Sequence, residues 1–142
     1  MSEINDTKQL RETIRMLERK LGVLETKQFS CCGISMTQCH ALVEIGRAKS
    51  IFLKELSKLL SLENSTMSRT INNLVINKLV NREIDQRDRR YITITLTETG
   101  QKIYEDIETN MNAYYKDVYQ SIPEGKLHAV LDGLQILLDS IS

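Results

Sequence analysis

The 142-residue sequence predicts a mainly α fold with a small β-hairpin, and three observations carry that expectation. Most of the chain repeats apolar residues every three or four positions, the helical period. One stretch, from Val80 to Leu96, switches to a period of two around a charged turn. Two capping-box signatures, Ser35 with Gln38 and Ser121 with Glu124, mark helix starts.

Taken in order, residues 7–27 place Leu10, Ile14, Leu17, Leu21 and Leu24 at alternating steps of four and three. This seam is narrow and the helix long, so it is read as a surface for pairing with another helix. Phe29-Ser-Cys-Cys-Gly33 breaks the helix, and Ser35 opens a second one. That helix turns Cys39, Leu42 and Ile45 to one side and is expected to end at Gly46. A third, short helix over about 53–60 turns Leu53, Leu56, Leu59 and Leu60 inward, with no Ser, Thr or Asp to cap it. A fourth spans about 64–77, burying Met67, Ile71, Leu74 and Val75. The hairpin follows: Val80, Arg82 and Ile84, the tip Asp85-Gln-Arg-Asp-Arg-Arg90, then Ile92, Ile94 and Leu96 alternating with threonines. Thr97 can cap a fifth helix bearing Ile103, Ile107, Met111, Tyr114 and Val118, and the Ser121 box, with Pro123 in its first turn, opens the last.

Composition narrows the class. With 41% hydrophobic and 27% charged residues, the chain reads as one folded domain that needs neither metal nor disulfide to fold. No apolar run approaches the ~20 residues that span a bilayer, and the polar N-terminus has no signal-peptide core. A cytoplasmic protein without a membrane partner is expected. Nineteen basic residues balance nineteen acidic ones, which argues against a non-specific nucleic-acid coat. Three cysteines in such a chain do not read as a disulfide framework.

The order helix, helix, turn, helix, hairpin is that of a winged helix-turn-helix. The second helix of such a pair enters a DNA major groove. Here it offers Ser65, Thr66, Ser68, Arg69, Asn72 and Asn73, short or planar groups with the donors and acceptors that base edges require. The tip offers Arg87, Arg89 and Arg90, suited to the negative potential of a narrow minor groove, with Asp88 able to hold a tip arginine by a bidentate pair. Charge is segregated: residues 63–90 carry six basic and four acidic side chains, residues 98–119 two and five.

The run from Ile34 to Ile103 resembles the MarR family of bacterial transcriptional regulators. The resemblance is carried by Ile34-Ser-Met-Thr-Gln-Cys-His-Ala-Leu42, Leu56-Ser-Lys-Leu-Leu-Ser-Leu62, Ser65-Thr-Met-Ser-Arg-Thr-Ile-Asn-Asn-Leu74, the wing pattern Asp85-x-Arg87-Asp88-x-Arg90, and Leu96-Thr-Glu-Thr-Gly100. It implies a single domain over 1–142, with dimerisation helices in 1–33 and 98–142 and a DNA-binding lobe in 34–97. It further implies a homodimeric repressor on a pseudo-palindromic double-stranded operator, with a wing arginine, Arg90 foremost, in the minor groove. DNA release or tightening would follow when a small molecule or oxidant acts between the dimerisation helices and the lobes. Two positions depart from the family pattern. Lys78 stands where a glycine is common, which suggests Asn77 as the left-handed residue closing the fourth helix. Cys39 stands where a large aromatic is common.

Cys31, Cys32 and Cys39 admit three readings: ordinary packing residues, a site for a thiophilic metal or metalloid, or an oxidation switch. His40 and His128 read as ordinary surface side chains, and Tyr104, Tyr114, Tyr115 and Tyr119 as packing residues. An enzyme would need Cys31 or Cys39 as nucleophile with His40 as base. No phosphate loop, paired-carboxylate motif or G-x-S-x-G supports that, and no catalytic residue is expected. The alternative within the same fold is a winged-helix protein-interaction module that does not bind DNA.

Overall fold

The computed structural model describes residues 2–29 and 33–141. Six helices and three strands follow in the order α1 (Glu3–Phe29), α2 (Met36–Ala48), β1 (Ser50–Phe52), α3 (Leu53–Leu59), α4 (Asn64–Ile76), β2 (Val80–Ile84), β3 (Ile92–Leu96), α5 (Glu98–Ser121) and α6 (Leu127–Ser140). The chain divides into two compact units, Met1–Ile107 and Glu108–Ser142.

In the first unit, α2, α3 and α4 pack around a small antiparallel sheet of strand order β1-β3-β2. The core joins Leu42 and Ile45 of α2, Leu56 of α3, Met67, Ile71 and Leu74 of α4, and Ile94 of β3, all fully buried. The predicted hairpin pairs Val80 with Leu96, Arg82 with Ile94 and Ile84 with Ile92. β1 was not predicted. Its three residues are too few to show a period, and only pairing reveals it, with Ile51 opposite Ile94.

Local chemistry fixes most helix ends. The Ser35 hydroxyl accepts the Gln38 N–H at 3.2 Å while the Gln38 side chain accepts the Ser35 N–H at 2.9 Å, the expected reciprocal cap. Thr97 Oγ1 accepts the Gly100 N–H at 3.0 Å and donates to the Lys78 carbonyl at 2.7 Å, so it caps α5 and ties that helix to the turn after α4. Gly100 is itself dictated by that approach: a Cβ there would stand 2.0 Å from the Leu79 carbonyl oxygen.

Several expectations are corrected. Gly46 does not end α2, which continues to Ala48; a Cβ at Gly46 would lie 2.6 Å from the Tyr104 ring, so the glycine makes room for α5. Leu59 points out of α3, and Ser57 takes the inward place, its hydroxyl donating to the Leu53 carbonyl at 3.1 Å. Lys78, not Asn77, is left-handed after α4, with φ +62° against −80°. The Lys78 N–H reaches the Val75 carbonyl and the Leu79 N–H the Leu74 carbonyl, each at 2.9 Å, a Schellman closure that places the positive φ one residue past the cap. The second capping box does not form. Ser121 closes α5, donating to the Asp117 carbonyl at 3.0 Å, while α6 begins after Lys126 and Gly125 takes φ +83° in the turn between.

Along α1, Leu24 is buried, Ile14 and Leu21 are half-buried, and Leu10 and Leu17 are exposed. In the second unit no described residue is buried, and α6 exposes Val130, Leu131, Leu134 and Leu138. No helix among the described residues is long and apolar enough to cross a membrane.

Candidate nucleic-acid interface

α4 is positioned by its own apolar stripe. With Met67, Thr70, Ile71 and Leu74 buried, the helical period leaves Ser65, Arg69, Asn72 and Asn73 exposed on the far side. Thr66 and Ser68 flank that face and are half-buried; the Thr66 carbonyl accepts the Thr70 hydroxyl at 3.0 Å. The predicted face is thus narrower than six residues, with four side chains fully presented. Glu63 precedes the first turn, where its charge suits the helix dipole.

The wing tip is organised by its two aspartates. Asp85 Oδ2 accepts the Asp88 N–H at 2.9 Å, and the Asp85 N–H reaches the Tyr91 carbonyl at 2.9 Å, closing the loop. Asp88 then grips Arg90: Nε donates to Oδ1 at 3.0 Å and Nη2 to Oδ2 at 2.7 Å, a bidentate pair. Asp88 Oδ1 also accepts the Arg90 backbone N–H at 3.1 Å. These bonds from Arg90 hold the Asp88 carboxyl below the usual carboxylate range and raise the Arg90 guanidinium further above its ordinary value. The arginine side chain is 83% exposed, so the clamp aims it without hiding it. Arg87 and Arg89 are exposed beside it.

The base of the wing is braced from β1. The Tyr91 ring stacks on Phe52 at 4.9 Å between centroids, and the Arg90 guanidinium lies 5.9 Å from the Tyr91 centroid. An open cleft of about 380 Å³ runs here between Leu53, Lys54 and Asn64 on one side and Arg90, Tyr91 and Ile92 on the other. Recognition-helix start and wing arginine therefore share one lobe surface, with Lys54 adding a cation that sequence reasoning passed over. Arg82 was also passed over as a site residue. Its Nη1 donates to Asn72 Oδ1 at 2.9 Å. Arg82 is exposed on β2, and only the packing of β2 against α4 brings it to Asn72, so no sequence signal pointed to it.

Residues 34–92 match the sequence profile of the MarR family. That match spans the lobe from before α2 to the start of β3 and makes residues 34–92 a MarR-type domain. Its relatives include YwaE of Bacillus subtilis, described as an uncharacterized HTH-type transcriptional regulator, 25% identical over 127 residues that cover 84% of this chain and 74% of that protein. Among solved structures, Streptococcus pneumoniae FabT in complex with DNA superimposes with a TM-score of 0.85 at 21% identity, covering 95% of this chain and 96% of FabT. A mutant of Escherichia coli MarR complexed with operator DNA gives 0.81 at 23% identity, covering 97% and 99%. A MarR transcriptional regulator from Methanosarcina mazei gives 0.80 at 25% identity, covering 94% and 96%. The present chain accordingly shares the winged-helix fold of these regulators and carries a MarR-type domain over residues 34–92.

Of the three cysteines the structure describes Cys39. Cys39 is fully buried on α2, the place of a packing residue, and Cys31 and Cys32 lie outside the described residues. Among the described residues no three His, Cys, Asp or Glu side chains are grouped to hold a metal ion. His40 and His128 are exposed. Tyr104 is half-buried over Gly46, whereas Tyr114, Tyr115 and Tyr119 are exposed on α5.

Proposed function

We propose that this chain is a MarR-family transcriptional regulator, a homodimeric repressor that binds a pseudo-palindromic double-stranded DNA operator. The observation that supports this most directly is the Asp88–Arg90 clamp, which presents an exposed arginine on the same lobe as the outward polar face of α4. In this reading Ser65, Arg69, Asn72 and Asn73 address major-groove edges, with Thr66 and Ser68 at the margin. Arg90 enters the neighbouring minor groove, while Arg87, Arg89 and Lys54 meet phosphates. Two-fold pairing through the terminal helices would set half-sites about one helical turn apart.

A fluorescence-anisotropy titration on the DNA upstream of the protein's own gene tests the reading. Wild type should bind with affinity that falls steeply as salt rises. Arg90→Ala should bind about tenfold more weakly with dimerisation intact; unchanged affinity removes the wing from the interface. Absence of sequence-specific binding at low salt, with and without reductant, would favour the protein-interaction module instead. Response to an effector belongs to the same proposal: a small molecule, an oxidant or a thiophilic metal or metalloid, the last two acting through Cys31, Cys32 and Cys39. Arsenite, zinc and peroxide added to operator-bound wild type and to a triple Cys→Ser variant separate these, and identical responses would dismiss the cysteines.

A further inference from the structure

The contact between Arg82 and Asn72 bears on which base the recognition helix accepts, granting the DNA-binding reading of α4 above. Arg82 lies on β2 opposite Ile94, is itself exposed, and reaches Asn72 on the exposed side of α4. A guanidinium carries five N–H donors and no acceptor. The amide atom 2.9 Å from Arg82 Nη1 is therefore Asn72 Oδ1; turning the amide over would set donors against donors. This bond sets which way round the amide lies and leaves the two Nδ2 hydrogens, with one lone pair of Oδ1, for a ligand.

An unconstrained asparagine in a major groove reads adenine with both edges, Oδ1 accepting from N6 and Nδ2 donating to N7. Asn72 Oδ1 keeps a second lone pair, but the Arg82 guanidinium beside it sets positive charge and N–H donors against the adenine N6 donor, so the adenine pair is disfavoured. We infer that Arg82 is a specificity-positioning residue that biases Asn72 towards donating through Nδ2, selecting a base with acceptors in the major groove. Guanine, with N7 and O6, comes first, and thymine, with O4, second. Arg82 need not touch a base to do this. Its role is to decide which edge of Asn72 the DNA meets.

Selection from a pool of randomised duplexes, read by sequencing, tests this with wild type, Arg82→Met, Arg82→Lys and Asn72→Asp. Wild type should favour guanine or thymine over adenine at one position per half-site by about fivefold or more. Arg82→Met keeps the stem and removes the donors, so that preference should vanish or turn to adenine while the rest of the site is unchanged. Arg82→Lys retains a donor and should restore part of it. Asn72→Asp keeps an acceptor for Arg82 but offers no donor, and should lose the preference; this pair of variants decides the matter should Arg82→Met fail to fold by circular dichroism. Adenine at that position in wild type overturns the inference. So does an Arg82→Met profile equal to wild type when Asn72→Asp differs, and in that event the DNA-binding reading stands. Failure of wild type to enrich any sequence would overturn the DNA-binding reading itself, and this inference with it.

Discussion

α4 and α6 are helices of 13 and 14 residues with apolar residues at the same spacing, yet their stripes meet different fates. α4 buries Met67, Ile71 and Leu74 completely against α2, α3 and β2. α6 buries none, and Leu134, at the middle of its stripe, is 48% exposed. Covering one leucine side chain stabilises by about 1.5–3 kcal/mol, so a whole stripe left open favours association. An amphipathic pattern therefore reports that a helix needs apolar cover, not that its own chain supplies it. The winged-helix lobe buries its own stripes; α6 leaves its stripe exposed, in keeping with the proposed homodimer.

The largest expected effect tests that contrast at its open end. Leu134→Asp should weaken self-association by about 100-fold or more, since a two-fold interface meets the charge twice. Sedimentation equilibrium measures it, and a dimer of wild-type affinity would show that the stripe is not the interface. In the lobe, Gly100→Ala drives a methyl group against the Leu79 carbonyl 2.0 Å away. A cost of about 2–3 kcal/mol is expected, seen as a fall of about 10 °C in thermal midpoint. Full stability in that variant would mean α5 does not press on the turn after α4.

Lys78→Gly should act oppositely and more weakly. Lys78 holds φ +62°, a conformation costly to a residue with a Cβ, and glycine should add about 0.5–1 kcal/mol in urea unfolding. The smallest effect is at the wing. The Asp88 carboxyl titrates below its ordinary value because Arg90 bonds to its charged form. The pairing is thus fully present above the unfolded-state value of about 3.9 and is lost only as pH falls through the lower folded one. Carboxyl-detected NMR should find a lower Asp88 midpoint in wild type than in Arg90→Ala, and equal midpoints would deny the clamp in solution.

What could be read beforehand was local. The Ser35–Gln38 cap, the Thr97 cap, the buried stripe of α4 and the charged hairpin each lie within one turn or one pair of strands, where period and residue type suffice. Errors arose where a local signature competed with something distant. Ser121 and Glu124 satisfy the capping pattern, but α5 extends through Ser121 and claims its hydroxyl. Leu59 fits an apolar count, but the packed face of α3 belongs to Leu56 and Ser57. Gly46 looks like a stop signal, but it is a clearance for a ring arriving from 58 residues further on.

The sequence by itself determined the helices, the wing and the polar character of the outward face of α4, because hydrophobic periodicity is enforced residue by residue along a segment. Only the tertiary structure decided the edge strand β1, the glycine clearances at Gly46 and Gly100, the left-handed Lys78 and the Arg82–Asn72 bond. Each depends on two groups brought together by folding, and a chain lists its neighbours in order without saying which distant ones will meet.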